Sequence, residues 1–264
     1  MTAASTLRVA IAAARAGGAV LTAMMHDDLE ISYKEARANL VTIADLQSQQ
    51  VIFGVITDAF PGHAIVGEEG TSGDLEGEHV WYVDPLDGTT NYAHGLPYFC
   101  VSVALRSAGQ TAAGVVYDPI RDEMFAAGRD AGATCNGEPL RVSQITRLDR
   151  ALVVAQAQSA DPAEISAYAR LVERLMTVTG GVRSLGSPAL SLCAIAGGRL
   201  EAYCEYAMDP WDIAAGQLVL EEAGGTLTTF DGEPHRTAAR ADVVATNGRI
   251  HAELLTALKG DDSP

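Results

Sequence analysis

The alternation of apolar and polar positions divides the chain into two unlike halves. Residues 4 to 26 and about 36 to 59 carry apolar residues at helical spacing with abundant alanine, which predicts two helices. Short apolar runs separated by turn residues follow. GHAIVGEEG predicts a strand running into a glycine-flanked acidic turn, and HVWYVD predicts a second strand. FCVSVALRSAGQTAAGVVYDP predicts two strands around Ser-Ala-Gly-Gln, DEMFAAG a third, and Asn136-Gly137 a hairpin turn. From about residue 150 strands alternate with helices. ALVVAQA is a strand and residues 162 to 178 a helix. SPALSLCAIAGG is a helix with Ser187 as N-cap and Pro188 at its first position. RLEAYCEY is a strand, WDIAAGQLVLEEAGG a helix closed by Gly224-Gly225, TLTTF and ADVVATN two strands, and RIHAELLTALK a terminal helix. The change of pattern predicts an α+β unit over 1–145 and an α/β unit over 146–264, packed as layers.

Composition narrows what such a chain can do. Of its 264 residues 48% are apolar, enough for a substantial core, and the net charge is −16. An acidic surface argues against nucleic-acid binding, which needs a positive footprint, and against docking on anionic lipid. It leaves a small anionic substrate open, because a bound metal inverts the local sign. Cys100, Cys135, Cys193 and Cys204 form no C-x-x-C pair and are expected as reduced, mostly buried thiols. Arg8 and Arg15 interrupt the one apolar stretch near the N-terminus. No run reaches the ~18 uninterrupted apolar residues of a membrane span. A cytoplasmic protein is the expectation.

Five acidic residues stand out by place. Glu68 and Glu69 lie in a turn after a strand, Asp84 and Asp87 past the next strand, and Asp212 at the mouth of a helix. Strand ends and helix starts are where α/β folds place their sites. Each position alone has a plain structural reading: a solvated turn, a tight turn, a helix cap. Together they do not. Carboxylates are costly to bury without a partner, and residues 64 to 99 contain no Lys or Arg. Converging carboxylates without basic partners point to a hard divalent cation, Mg²⁺ or Mn²⁺. In DPLDGTTN, Pro85 stiffens the turn so that both aspartates face one side. Gly88 lets backbone approach a ligand and its neighbouring amides meet an anion, and Thr89 offers a hydroxyl to orient a water. That combination suits attack of water on a phosphate ester.

GEE at 67–69, DPLDGTTN at 84–91 and WDIAAGQLVLEEAGG at 211–225, in this order and spacing, resemble the inositol monophosphatase family of Mg²⁺-dependent, lithium-sensitive phosphatases, and the resemblance covers essentially the whole chain. It implies a layered αβαβα sandwich of the inositol monophosphatase / fructose-1,6-bisphosphatase type and a homodimer. It implies two or three Mg²⁺, with Mn²⁺ a possible substitute. Glu68, Asp84 and the Leu86 carbonyl would hold the first and Asp84, Asp87 and Asp212 the second. Thr89 would orient the attacking water, with Asp45 as its acidic partner, and the amides of Gly88 and Thr89 would hold the phosphate. On the substrate side the resemblance implies Gly186, Ser187, Pro188 and Glu205, beside Asp87 and Asp212. Lys34 resembles a basic residue near the metals, with a solvated lysine as the alternative.

Departures from the family pattern bear on a third metal or a local turn, at Asn39, and on the substrate, at Pro188 and Asp209-Pro210. Asn39 stands where relatives carry an aspartate, Pro188 replaces a small residue, and Asp209-Pro210 precedes Trp211. Thr90 favours the inositol monophosphatase branch, because relatives acting on 3′-phosphoadenosine nucleotides carry lysine there and fructose-1,6-bisphosphatases carry DGSSN. Hydrolysis of myo-inositol 1-phosphate or a similar polyol phosphate is the leading expectation. A sugar phosphate, fructose 1,6-bisphosphate, histidinol phosphate or an aminocyclitol phosphate is the alternative. A non-catalytic interaction module is the alternative of another class, and the intact acidic set speaks against it.

Overall fold

A computed structural model describes residues 3–25, 31–33, 40–157, 161–235 and 240–259. Helix α1 (Ala3–Met24) leads to a two-stranded antiparallel ribbon, β1 (Ile31–Tyr33) and β2 (Leu40–Thr42), then α2 (Ile43–Ala59). The second helix starts later than its alanine-rich pattern predicts. Thr42 caps it: its hydroxyl accepts from Ala44 N–H, and Asp45 accepts from the Thr42 N–H, so the chain is extended up to Thr42.

Strands β3 (Ala64–Gly67), β4 (Gly70–Ser72), β5 (His79–Asp87), β6 (Cys100–Ser107), β7 (Gln110–Asp118), β8 (Glu123–Gly128), β9 (Ala133–Cys135) and β10 (Glu138–Pro139) form one sheet, ordered β10-β9-β8-β7-β6-β5-β3-β4. The five-residue helix α3 (Thr89–Ala93) follows β5. Only β3 and β5 pair parallel in this sheet. The second sheet holds β11 (Leu152–Ala155), β12 (Gly181–Arg183), β13 (Ala202–Met208), β14 (Thr226–Thr228) and β15 (Ala241–Thr246), ordered β12-β11-β13-β15-β14. Its helices are α4 (Pro162–Val178), α5 (Pro188–Ala196), α6 (Pro210–Glu222) and α7 (His251–Lys259). Strand β12 was not apparent from sequence. At three residues beside a glycine it is too short to show a period.

Both sheets are covered on both faces, which explains their nearly continuous apolar strands. In β5, Val80 and Tyr82 face the core shared with α5 and α6, while Trp81 and Val83 face α1 and α2. In β13, Tyr203 faces the shared core and Cys204 the layer of α4 and α7. The layers therefore run α1/α2, first sheet, α5/α6, second sheet, α4/α7, the αβαβα sandwich. Helix α1 is long and apolar enough to cross a membrane, with mean hydropathy 1.4 over Ser5–Met24. Here it is a core helix: Ala10, Ala13, Ala14 and Leu21 are fully buried, and a Cβ at Gly17 would lie 2.7 Å from the Ile52 side chain. The four cysteines are free, three of them buried and Cys135 half-buried.

Candidate active site

Strand β5 does not stop at Asp84, as its sequence suggests, but continues through a register shift to Asp87. The shift is a bulge at Pro85-Leu86, and Pro fits there because a bulged residue forfeits its ladder bond. Residues 84 and 87 would face opposite sides of a regular strand. The bulge instead turns both carboxylates toward the same cluster, where they act on each other electrostatically. Gly88 then takes a left-handed conformation (φ 96°), and a Cβ there would lie 3.0 Å from Tyr98 O and 3.2 Å from Gly186 O. Only glycine combines that backbone with so close an approach.

Four carboxylates meet at this end of the two sheets. Glu68 lies in the β3–β4 turn, where its N–H donates to Val83 O at 3.2 Å. It acts electrostatically on both Asp84 and Asp212, the latter in the first turn of α6. Burial, and then Glu68, Asp87 and Asp212, push the Asp84 carboxyl well above the usual carboxylate range. Asp212 keeps some exposure, yet protein encloses it closely enough that burial, then Glu68 and Asp87, raise it strongly as well. Asp87 is pushed up to about 6 by burial, against hydrogen bonds that favour its ionised form.

Three of the carboxylates are oriented by protein donors on one oxygen. Asp84 Oδ1 accepts the Leu86 N–H at 2.9 Å, and Asp212 Oδ2 the Asp209 N–H at 3.1 Å. Asp87 Oδ2 accepts the Ser187 hydroxyl, the Ala189 N–H at 2.9 Å and the Cys100 thiol at 3.4 Å. Ser187 is thus the N-cap of α5 by position only. The capping carboxylate is Asp87, from the other sheet, and the Ser187 proton is committed to it. Pro188, at the first position of α5, has no N–H to offer.

A second pair adjoins the cluster. Asp45 Oδ2 accepts the Thr42 hydroxyl at 2.6 Å and the Thr42 N–H at 2.8 Å, and Asp45 Oδ1 accepts the Thr89 hydroxyl at 3.2 Å. The Thr89 hydroxyl also stands 3.0 Å from the Leu86 carbonyl. Burial pushes the Asp45 carboxyl up to about 6, opposed by the Thr42 bonds.

The substrate-side residues expected from sequence are joined indirectly. Gly186 is left-handed (φ 76°) and abuts Asn91, whose Nδ2 donates to Leu185 O and Tyr98 O, both at 2.8 Å. Glu205, on β13, accepts the Tyr203 hydroxyl and lies within electrostatic reach of Asp87. A bulge at residues 205–208, with Ala207 at φ 57°, follows it. Asp209 is the N-cap of α6. Lys34 and Asn39 lie outside the described residues. Asn91, Gln156, Tyr203 and Cys100 were not read as site residues from sequence. Asn91 could have been, since it closes the DPLDGTTN motif.

The donor set suits a hard divalent cation: four carboxylates, the Leu86 carbonyl and no soft ligand except the weakly bonded Cys100 thiol. Among the described residues, no lysine or arginine figures in what acts on Asp84, Asp87 or Asp212. Nor, among those residues, are three His, Cys, Asp or Glu side chains drawn together as tightly as a finished metal cage. The mutually repelling carboxylates, with Asp84 and Asp87 buried among them, are the stronger indication, because side-chain rotation closes a cage while crowding like charges in a buried place stays costly.

Comparison with known proteins agrees with this chemistry. The model of the inositol monophosphatase family matches residues 3–261. An inositol-1-monophosphatase of Synechocystis is 38% identical over 262 residues, 96% of this chain and 88% of the relative. A Pseudomonas aeruginosa protein named Nus factor SuhB is 37% identical over 260 residues, 96% of this chain and 95% of the relative. The solved structure of inositol monophosphatase from Anabaena superposes with a TM-score of 0.85 at 40% identity, covering 97% of this chain and 95% of that one.

Proposed function

The chain belongs to the inositol monophosphatase family and is a phosphatase; from that premise we propose that it hydrolyses myo-inositol 1-phosphate, or a closely similar polyol phosphate, with Mg²⁺ as cofactor. The observation that carries this reading is the convergence of Glu68, Asp84, Asp87 and Asp212, whose charges raise the carboxyls of Asp84 and Asp212, beside the Thr89–Asp45 pair. In this reading Glu68, Asp84 and the Leu86 carbonyl hold one Mg²⁺ and Asp84, Asp87 and Asp212 another. When bound, the ions lower the pKa of a coordinated water and offset charge on the phosphate and the leaving alkoxide.

The protein's own part is orientation and proton handling. Thr42 pins one oxygen of Asp45, so the other faces the Thr89 hydroxyl. Ionised at neutral pH, Asp45 draws the Thr89 proton, which turns the threonine lone pairs toward an attacking water. The Gly88 and Thr89 amides meet the phosphate oxygens, where the left-handed glycine keeps backbone unobstructed. Glu205 and the Gly186-Ser187-Pro188 turn face the alcohol that leaves. The reading includes a homodimer, which the family resemblance supports, and a cytoplasmic location.

The test is Mg²⁺-dependent phosphate release from myo-inositol 1-phosphate, glycerol 2-phosphate, fructose 1,6-bisphosphate, histidinol phosphate and 3′-phosphoadenosine 5′-phosphate. Preference for the inositol ester is the expected result. Preference for another ester keeps the metal chemistry and overturns the substrate. Release from none overturns the reading.

A further inference from the structure

Behind the turn at 185–188 lies a buried polar chain that the site reading leaves unused. The Gly186 N–H donates to Gln156 Oε1 at 2.9 Å. A backbone N–H can only donate, so this bond settles which end of the Gln156 amide is oxygen. Gln156 Nε2 therefore faces the Tyr203 hydroxyl, 3.4 Å away, and Tyr203 in turn donates to Glu205 Oε2. Gln156, Tyr203 and Glu205 are all buried, Glu205 at 2% exposure, and among the described residues no cation figures in what acts on the glutamate. The bonds of the chain thus run in one direction, from Gly186 through Gln156 and Tyr203 to Glu205, which is left as an acceptor.

We propose that Gln156 is a positioning residue for the leaving-group side: its amide sets the hydrogen-bond direction that makes Glu205 a pure acceptor, and ties that acceptor to the Gly186 turn. The inference rests on the reading that Glu205 faces the alcohol. It deepens that reading by naming the substrate class: a monophosphate whose far side presents a hydroxyl or ammonium donor. A second phosphate or a carboxylate there would meet the ionised form of Glu205, with like charge and no proton to give. Burial pushes Glu205 up to about 7 while Tyr203 and Gln156 hold it down, so the direction of these bonds decides its charge near neutrality. The charged groups facing the cluster are Asp87 of β5, which acts on both Glu205 and Tyr203, and Asp212 of α6, which acts on Tyr203.

The isosteric change Gln156→Glu tests direction without changing volume. Its carbonyl oxygen still accepts from Gly186, but it donates toward Tyr203 and Glu205 only when protonated. The measured quantity is the ratio of kcat/KM for myo-inositol 1-phosphate to that for 4-nitrophenyl phosphate, which shares the metal chemistry and lacks leaving-group hydroxyls. At pH 8 the ratio falls roughly tenfold or more in the variant, the size of a lost hydrogen bond to a charged group, mostly through KM for the inositol ester. The deficit shrinks as the pH falls and the introduced carboxyl gains its proton, a rescue that a merely structural role would not show. Tyr203→Phe lowers the ratio in the same direction without the rescue. Independently of activity, ¹³C NMR titration of glutamate-labelled protein places the Glu205 carboxyl higher in Gln156→Leu than in the parent. Equal losses on both esters at every pH, or an unmoved Glu205 titration, overturn the role of Gln156. A parent enzyme with no preference for the inositol ester overturns the substrate reading instead, and the NMR titration then decides Gln156 by itself.

Discussion

On the proposed reading the site has a phosphate end and an alcohol end, and the two handle buried acid in opposite ways. At the phosphate end, Asp84 and Asp212 are raised by burial and by each other's neighbours, and protein donors reach only one named oxygen of each. At the alcohol end, Glu205 is raised chiefly by burial, and Tyr203 and Gln156 both donate toward it. Among the described residues no cation acts on the first arrangement, and the proposed Mg²⁺ would supply that charge. The second is completed by neutral side chains of the protein itself. The lesson is a division of labour: repelling acids create affinity for a cation, and a directed hydrogen-bond chain creates selectivity for a donor.

The largest effect should come from removing one acid at the phosphate end. Asp84 is the carboxylate that faces Glu68, Asp87 and Asp212 together. Asp84→Asn should lower kcat by at least ~10³-fold, about 4 kcal/mol of transition-state stabilisation. It should leave the melting temperature in chelator unchanged or higher, because a buried charge has been removed. A variant with near-parental turnover would break the contrast by showing that the cluster is structural.

Next in size is the response of stability to pH and Mg²⁺. Asp45 and Asp87 are raised from 3.8 to about 6 in the folded chain. Folded protein therefore holds protons that unfolded protein has released. Their contribution to stability is complete below the unfolded value and is lost as the pH rises through about 6. In chelator, the melting temperature should fall between pH 4.5 and 7. Millimolar Mg²⁺ should raise it by roughly 5 °C or more at pH 7.5, through mass action on the folded state, and by less at pH 5. A Mg²⁺ effect absent at pH 7.5, or equal at both pH values, would contradict the charge deficit.

The contrast also explains what could be read from sequence. The phosphate end is legible because Asp84, Leu86, Asp87, Gly88 and Thr89 sit in one stretch, aimed by one bulge at Pro85-Leu86. The αβαβα layering was legible too, through the family resemblance; the apolar pattern by itself gave only an α+β unit and an α/β unit packed as layers. The alcohol end is assembled from distant positions: Gln156 meets Gly186 across 30 residues and Tyr203 across 47. A lone glutamine after a strand has no local pattern, and Tyr203 fits the strand as an ordinary core residue. The capping of α5 by Asp87 was hidden for the same reason, since Ser187 occupies the N-cap position and satisfies the sequence rule without making the bond. The late start of α2 was misread because helical composition outweighed the Thr42–Asp45 capping box.

The smallest expected effect sharpens the contrast at its border. Asp209 caps α6 one turn before Asp212, belongs to neither end, and is half-buried. Burial raises its carboxyl, while the Arg240 charge opposes the rise and so offsets part of its field. If the alcohol end accepts an amino group, Asp209 adds a second negative charge beyond Glu205 to receive it. Asn is as good a cap as Asp, so Asp209→Asn should preserve the fold. Activity on a neutral polyol phosphate should change less than about twofold. Activity on an aminocyclitol phosphate should fall roughly three- to fivefold, the size of a partly screened charge interaction. Parallel kcat/KM measurements on the two esters, at low and high salt, decide it. Equal losses on both would confine recognition of the leaving group to the Gln156–Tyr203–Glu205 chain.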